Sequence, residues 1–455
     1  LSAWIYYDLL YLRAGWLYAP AWRAGVLHFL GLLLPTTLMG MTLPFLVRAM
    51  VRDVGTAGRT IGSLSGVNLA GAAAGALAAP WFLIPSGGIR GAVLAAALGN
   101  AAAAVLALAL ARWTVGASPA SSPPTRGPDP GPEPRRHPFG LWVALYAASG
   151  FVALSLEIVW FRLLDIAVKS TAFTFGTLLS FYLAGSAVGC LAGAFLALRQ
   201  KRPLRAFLAI QGLLLAYAGA VLILLTHLPT GLPFYDWFFG YWSEGMGLTL
   251  GGSRELGQIL RLYVVLPSLL FGPPTVLMGL SFPILQRAVQ DEVRTSGWKV
   301  GILQSANIAG CVAGSLVVGL LSLTWLGSTG TLRALLLVGI AFAMVGFRVE
   351  GDRRTFGALG AVLLTLALIL PDQDLLFRRL HGTASETTLI DEDATAVGAI
   401  VSSSPGRWAV FINGKAHSWI PFGGVHSQLG AIPALIHPAP RDVAIVGLGS
   451  GDTAW

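Results

Sequence analysis

The chain is dominated by apolar segments that are long enough to cross a lipid bilayer as helices. A spanning helix needs about 20 apolar residues. Eight segments reach that length, and two more, about 331–347 and 356–370, are shorter. The eight are residues 27–47, 61–84, 91–112, 140–163, 172–198, 205–227, 260–286 and 300–325. The sequence therefore predicts a mostly α-helical, polytopic membrane bundle of about ten helices.

The composition agrees with a membrane protein and argues against other classes. Of the 455 residues, 55% are hydrophobic and only 11% are charged, whereas soluble domains carry about 25% charged residues. The net charge of +9 comes from short basic clusters between the apolar segments, which is the pattern of loops that set membrane topology. We therefore expect the lipid bilayer as a partner, and no nucleic acid.

The apolar region contains an internal duplication. Pro35–Gly75 aligns without a gap on Pro274–Gly314 at a constant offset of 239 positions, and 19 of these 41 positions are identical. A proline-rich linker, residues 114–138, separates the two copies. Parallel repeats of this kind are typical of transporter-like bundles of the MFS type. We expect residues 1–113 to be an incomplete first half and residues 139–371 to be the second half.

The duplication also predicts what a complete copy contains. Three apolar segments between residues 140 and 227 precede the second copy, and no equivalent precedes the first. We expect about 100 further residues upstream of Leu1 and two six-helix halves in the complete protein.

Basic clusters predict which loops face the cytoplasm, because cytoplasmic loops are enriched in Lys and Arg. The clusters lie at Arg48–Arg59, Arg199–Arg205, Arg287–Lys299 and Arg348–Arg354, so the aromatic stretch Phe234–Trp242 lies on the outer side. The polar tail, residues 372–455, lies outside if the segment 356–370 spans the membrane. It lies in the cytoplasm if that segment only lies in the interface.

The polar tail reads as a small α/β unit. Strand-like runs occupy residues 396–402, 408–412 and 443–446, and Asn413-Gly414 predicts a tight turn. Ser427–Ile436 predicts a short helix. The last apolar run leads into the glycine-rich loop Gly447–Gly451, which is typical of a first strand entering the nucleotide-binding loop of a Rossmann-like fold.

Three stretches of the tail resemble, in order, the spermidine synthase (polyamine aminopropyltransferase) family. Phe411–His417 is similar to the family's Leu-Asp-Gly-x-x-Gln turn, His426–Pro438 to its helix leading into His-Pro, and Val446–Asp452 to its glycine-rich loop. Ser149–Arg162 and the duplicated Leu-Met-Gly…Pro motif resemble bacterial members that carry a fused multi-helix membrane region. The resemblance implies a transferase of polyamine biosynthesis in the bacterial inner (plasma) membrane.

The resemblance also implies a set of site residues. The glycine-rich loop would bind decarboxylated S-adenosylmethionine, or a related adenosyl compound, as co-substrate, because glycines permit close backbone approach to a ligand. The implied cofactor-binding residues are Gly447, Gly449, Ser450, Gly451 and Asp452. The implied substrate-binding residues are Asn413, His417 and Gln428, and the implied substrate is a polyamine.

The substrate region departs from the family's pattern. Asn413 stands where the family has Asp, His417 stands where it has Gln, and Gly423-Gly424-Val425 stands where an acidic pair is expected. Carboxylates are the groups that bind and orient a polyamine, which is a multiple cation. The family's ribose-binding acid and catalytic Asp would follow residue 455. We therefore expect no catalysis from residues 1–455 alone.

Other polar residues of the tail have ordinary explanations. The acidic run Asp391-Glu392-Asp393 is read as a solvated turn in preference to a polyamine contact. The four histidines lack the spacing of metal ligands, and we expect them at the surface or in caps; they are His381, His417, His426 and His437. Cys190 and Cys311 lie in small-residue stretches and are read as packing residues, so no metal site is expected.

A few polar residues lie within the apolar segments. Glu157 is the notable one, because a carboxyl group in the membrane is costly. It could pair with Arg162, lie near a helix end, or take part in transport. Asn68 and Asn307, which are equivalent in the duplication, are predicted to form hydrogen bonds between helices.

Three functions are compatible with these features. The first is aminopropyl transfer from decarboxylated S-adenosylmethionine to a diamine by an integral-membrane enzyme. The second is an accessory or scaffold subunit of a larger membrane complex, or a homo-oligomer, with a degenerate synthase-like domain. The third is a transporter of polyamines or another small solute.

Overall fold

Ten helices of 17 to 32 residues form the apolar part of the described chain. The structure, a computed structural model, describes residues 12–17, 20–115, 137–169, 173–227, 255–383, 387–445 and 450–454. The helices are α1 (Ala21–Met50), α2 (Val54–Ala78), α3 (Ile84–Val115), α4 (Phe139–Ala167), α5 (Thr174–Ala197), α6 (Pro203–His227), α7 (Leu266–Val289), α8 (Ser296–Val317), α9 (Leu323–Val349) and α10 (Arg353–Ile369). The predicted count of about ten is confirmed.

Several of these helices join into longer stretches. Within the described ranges, seven continuous stretches are long and apolar enough to cross a membrane, or eight if α10 and the helix after it form one bent span. Two of the seven have 59 and 57 residues, which is roughly three times the length of one crossing. Each of these contains a glycine with positive φ, Gly88 (64°) or Gly327 (65°), where the chain bends. The segment predicted at 331–347 belongs to the 27-residue helix α9.

The duplication continues in three dimensions beyond the 41 aligned residues. The ends of α1 and α7, Met50 and Val289, are 239 positions apart. The same offset relates the wide π-helical turns Ala79–Leu83 and Val318–Ser322. It also relates Gly88 to Gly327, which have the same left-handed backbone conformation. The repeat therefore covers α1–α3 and α7–α9.

The two repeats contact each other reciprocally. A Cβ atom added at Gly58 of α2 would lie 3.0 Å from the Pro283 carbonyl oxygen of α7. A Cβ atom added at Gly297 of α8 would lie 2.9 Å from the Pro44 carbonyl oxygen of α1. Both pairs are equivalent under the repeat, so the same patch is used on both sides, as in a two-fold interface.

Helices α4–α6 complete the second half of the bundle. α4 packs on α8, α5 packs on α7 and also on α2, and α6 packs on α7, α9 and α10. Aromatic pairs lie in these contacts, for example Trp160 and Phe271 with ring centroids 5.5 Å apart. Proline-rich α7 stays helical in this setting, because neighbouring helices surround it.

The tail is a small helix-and-sheet unit. Helix α11 (Gln373–Leu380) leads into the antiparallel meander β1 (Leu389–Glu392), β2 (Val397–Ser404), β3 (Arg407–Ile412) and β4 (Lys415–Ile420), in the order β1-β2-β3-β4. Helix α12 (Val425–Ile436) follows, as predicted. Asn413-Gly414 forms the predicted turn between β3 and β4, with φ values of 47° and 75°.

The predicted strand at 443–446 is wrong for the residues that the structure describes. Residues 441–445 are irregular, and residues 446–449 lie outside the described ranges. A strand needs a hydrogen-bonded neighbour, and among the described residues the sheet ends at β1 and β4. The small sheet is therefore observed, and the Rossmann-like continuation stays a prediction.

The tail lies at one end of the bundle and the basic loops lie at the other. His137 before α4 pairs with Glu350 after α9, with Nε2 and Oε1 3.3 Å apart. Arg205 of α6 pairs with Asp352 before α10, with Nη2 and Oδ2 2.7 Å apart. At the opposite end, Arg333 Nη2 donates to the Leu370 carbonyl oxygen (2.7 Å), beside the start of the tail. Helix α10 therefore runs along the whole bundle.

The close α4–α8 contact should make Gly310 intolerant of even a methyl group. A Cβ atom there would overlap the Ala147 carbonyl oxygen, whereas at the equivalent Gly71 it would meet nothing within 4 Å. We expect Gly310→Ala to lower the thermal midpoint in detergent. The matched Gly71→Ala should leave the midpoint unchanged or raise it, because alanine is the better helix former by about 1 kcal/mol. Equal midpoints for the two variants would contradict this packing.

Candidate functional site

The tail is joined to the bundle by a buried polar cluster. Glu392 at the end of β1 accepts hydrogen bonds from the Ser328 backbone N–H (2.8 Å) and the Ser328 hydroxyl (2.6 Å). Arg162 of α4 lies beside it, with Nε 3.8 Å from Glu392 Oε1. The side chains of Arg162 and Glu392 are 9% and 0% exposed. We call Arg162, Ser328 and Glu392 the junction cluster.

The break in α9 supplies the donor for the junction cluster. Because Gly327 has φ of 65°, the helical hydrogen bonding is interrupted there and the Ser328 N–H points to the tail. Free N–H groups and the helix dipole at such a start favour a carboxylate. Arg162 completes the arrangement by donating to the carbonyl oxygens of Asp393 (3.0 Å) and Ala394 (2.9 Å).

This cluster excludes one alternative for Glu157 and corrects the prediction for the acidic run. Arg162 pairs with Glu392 and the tail backbone; no ion pair joins it to Glu157 among the described residues. Glu392 is buried, so the acidic run is not a solvated turn throughout; Asp391 and Asp393 are exposed. The reason is strand geometry, since alternate residues of β1 face opposite sides. Burial raises the pKa of Glu392 above its ordinary value of 4.5, and the Ser328 hydrogen bonds and Arg162 counteract this in part.

The β3–β4 turn is a second contact between tail and bundle. Asn413 uses its side-chain oxygen to accept from the Val397 N–H (2.9 Å) and its own N–H to donate to the Val397 carbonyl oxygen (2.9 Å). Gly414 packs so closely on the end of α4 that a Cβ atom would overlap the Ile166 carbonyl oxygen. The turn that the resemblance assigns to substrate binding therefore makes structural contacts with β2 and with α4.

His381 lies between α11 and the sheet. It is the C-terminal cap residue of α11, one of its two predicted roles, and it is buried, so the alternative of a surface position is wrong. Its Nδ1 lies 2.8 Å from the Phe377 carbonyl oxygen, and its ring packs edge-on against Phe411 with centroids 5.4 Å apart. Burial lowers the pKa of His381 from 6.5 to about 4, and the charge of Lys169 adds to this effect. The imidazole is neutral in the docked tail.

The other two implied substrate residues lie at the surface. His417 of β4 and Gln428 of α12 are exposed. The pKa of His417 is lowered by partial burial and by the charges of Lys415 and His426. The nearby charges are thus positive, which is unfavourable for a polyamine. His426 is half-buried, and His437 is exposed and accepts from the Ala439 N–H (3.2 Å), a capping role as predicted.

The described part of the glycine-rich loop packs on α12. Gly447 and Gly449 lie outside the described residues. Ser450 and Gly451 lie in a turn, where Gly451 has φ of 84°, and Asp452 is buried and accepts a short hydrogen bond from the Ser427 hydroxyl. The Asp452 carboxylate therefore has a partner within the tail. Among the described residues, no group of three His, Cys, Asp or Glu side chains is placed to hold a metal ion.

The intramembrane polar residues divide into two kinds. Asn307 Nδ2 donates to the Tyr146 carbonyl oxygen (3.1 Å), so the predicted hydrogen bond between helices is confirmed for this residue. The same prediction is wrong for the equivalent Asn68, which is exposed and has no hydrogen bond among the described residues. Glu157 is half-buried on α4 and makes no ion pair among the described residues; Tyr182 and Cys311 are near enough to interact with its charge.

The junction cluster is the feature that sequence reasoning missed. Its available signal was the Gly327-Ser328 pair inside an apolar helix, which is a typical break followed by a new helix start. The partner Glu392 lies 64 positions away, and only the fold brings it there. Comparison of the chain with protein families, with characterised proteins and with solved structures found no match.

Removing Arg162 should release the tail. Arg162→Ala leaves Glu392 buried without its cation and two carbonyl oxygens without a donor, a change that typically costs about 3 kcal/mol. We expect limited proteolysis to cleave the tail after residue 370 much faster than in the unmodified chain. Arg205→Ala is the control, because that pair is 41% exposed at the arginine and should contribute at most about 1 kcal/mol. Equal cleavage rates in the two variants would contradict the junction.

The buried His381 should make tail docking weaker in acid. Because the folded pKa is about 4 and the ordinary value is 6.5, the unfolded tail binds a proton that the docked tail does not in this pH range. Stability therefore falls as pH decreases from 6.5 to 4, by up to about 1.4 kcal/mol per pH unit. The raised pKa of Glu392 makes stability change with pH in the opposite direction, so the contribution of His381 has to be isolated. The variant His381→Leu should lose the part of the pH dependence that His381 contributes. Hydrogen exchange of the sheet amides measures the stability of the tail at each pH. An equal pH dependence in the variant and the unmodified chain would contradict the prediction.

Proposed function

We propose that the chain is a non-catalytic accessory or scaffold subunit of a membrane complex, with a synthase-like tail docked on a repeat-built bundle. The observation that carries this proposal is the environment of Asn413-Gly414. The turn that resembles the family's substrate-binding turn packs on Ile166, and the Asn413 side chain is bonded to Val397. A turn held in this way anchors the tail, and the side-chain oxygen of Asn413 is already bonded within the sheet.

Charge supports the same proposal. A diamine site needs carboxylates, but the side chains beside His417 are Lys415 and His426, and Glu392 is committed to Ser328 and Arg162. Asp452 is committed to Ser427. Glu392 therefore helps to hold the tail on the bundle, and Asp452 helps to hold the tail together.

The position of the tail is a further argument. It lies at the end of the bundle opposite the basic residues near Arg205 and Arg287. Under the rule that basic loops face the cytoplasm, the tail faces the outer side of the membrane. An adenosyl co-substrate is made and used in the cytoplasm, so an outward tail fits an assembly surface better than a transferase.

A ligand-binding experiment tests the proposal. Purified chain in nanodiscs is titrated with radiolabelled decarboxylated S-adenosylmethionine, with and without putrescine, and no saturable binding is expected. The double variant Asn413→Asp, His417→Gln restores the family's residues and should also fail to bind, because the turn stays packed on Ile166. Saturable binding by the unmodified chain would support the transferase and overturn the proposal.

Topology labelling separates the two functions independently. A cysteine at exposed Ser404 on β2 should react with an impermeant maleimide in intact cells. A matched cysteine at exposed Lys201, at the basic end, should react only after lysis. The reverse pattern would place the tail with the cytoplasmic nucleotides and count against the proposal.

A further inference from the structure

The α4–α8 contact shows how one repeat binds a neighbouring helix. Asn307 of α8 donates to the Tyr146 carbonyl oxygen of α4. Gly310 and Gly314, one and two turns further, bring the two backbones together, and a Cβ atom at Gly314 would lie 2.5 Å from the Phe151 carbonyl oxygen. An asparagine followed by two glycines on one helix face therefore forms a binding site for a neighbouring helix.

The same three residues occur on α2 at the repeat offset, as Asn68, Gly71 and Gly75. There a Cβ atom would meet nothing within 4 Å at either glycine, and Asn68 is exposed without a hydrogen bond among the described residues. An amide facing hydrocarbon without a partner costs free energy, and an acyl chain offers no acceptor. Lipid alone is therefore a poor occupant of this face.

Helix α1 shows the same difference from its counterpart α7. Gly279 of α7 packs against α5, where a Cβ atom would overlap the Ser186 carbonyl oxygen. At the equivalent Gly40 of α1 there is nothing within 4 Å. The neighbouring side chains Leu38 and Met39 are 58% and 72% exposed. Two helices of the first repeat thus carry packing faces whose second-repeat equivalents are filled.

We propose that the Asn68–Gly71–Gly75 face of α2 binds a membrane helix that is similar to α4. This helix would pack on α2 in the first repeat as α4 packs on α8 in the second. The repeat defines the chemistry of this partner. It is an apolar helix with a backbone carbonyl oxygen that accepts a hydrogen bond from the Asn68 side-chain amide. It also has a glycine at the position of Gly150 in α4, because a Cβ atom at Gly150 would overlap the carbonyl oxygen of Asn307, the equivalent of Asn68. The face is continuous with the α2–α5 contact, where Gly66 packs on Leu191.

A second copy of the chain fits this face less well. Its α4 is already bound to its own α8 through Asn307, and would have to leave that site. The interface is separate from the tail junction, so it does not depend on the proposed function.

The test uses the full chain in nanodiscs and a synthetic peptide with the α4 sequence, residues 139–167, as the probe. Nitroxide labels are placed at Ala72→Cys or Ala70→Cys in a Cys190→Ala, Cys311→Ala background. Ala72 is at the edge of the face, and its equivalent Cys311 is a half-buried cysteine next to Gly310. Ala70 is the matched control, because it and its equivalent Ala309 are both exposed. Once circular dichroism shows the peptide to be inserted and helical, oxygen accessibility at position 72 should fall by at least about threefold, since a packed interface excludes solutes. Position 70 should not change.

Two variants make the result specific. A peptide with Gly150→Leu should give no protection at position 72. The chain variant Gly75→Leu should also give none, and it should fold normally because there is open space at residue 75. No fall at position 72, or an equal fall at 70 and 72, would overturn the proposal. Protection without peptide that grows with chain concentration would assign the face to a second copy and would also overturn it.

Discussion

Close backbone approach between helices is the constraint on which this bundle depends. Lipid is as apolar as a leucine side chain, so membrane helices associate through tight packing and polar contacts more than through hydrophobic burial. The glycines of α8 and α5 meet this need, because their neighbours α4 and α7 lie where a Cβ atom would overlap a carbonyl oxygen. The duplication places the same residues on the first repeat, and the reciprocal contacts of Gly58 and Gly297 join the two repeats.

A single polar cluster connects this bundle to the tail. Buried charges are tolerated when they are paired and hydrogen-bonded, and Glu392 satisfies both conditions through Ser328 and Arg162. The break at Gly327 makes this possible, since it exposes a backbone donor inside a long helix. The same break at Gly88 belongs to the first repeat, so an inherited bend of the duplicated unit serves in one copy as the docking site of the sheet.

The resemblance to aminopropyltransferases and the structure of the tail point to different uses of the same residues. Asn413, Gly414 and Asp452 occupy positions that the resemblance assigns to ligands, and each has a structural contact in the described chain. A turn that anchors the tail in this way is consistent with the proposed accessory role. This interpretation also accounts for the positive surroundings of His417.

The membrane class, the helix count, the repeat and the hydrogen bond of Asn307 could all be predicted before the fold was known. These follow from local properties: apolar length, the offset of identical residues and helix periodicity. Which distant residues contact each other could not be predicted from such local properties. Arg162 and Glu392 lie 230 positions apart, and the sequence offered Glu157 as the nearer partner. The burial of His381 and Glu392, the side on which the tail lies and the open face of Asn68 were decided by tertiary structure alone, because each depends on which distant helix is packed against which face.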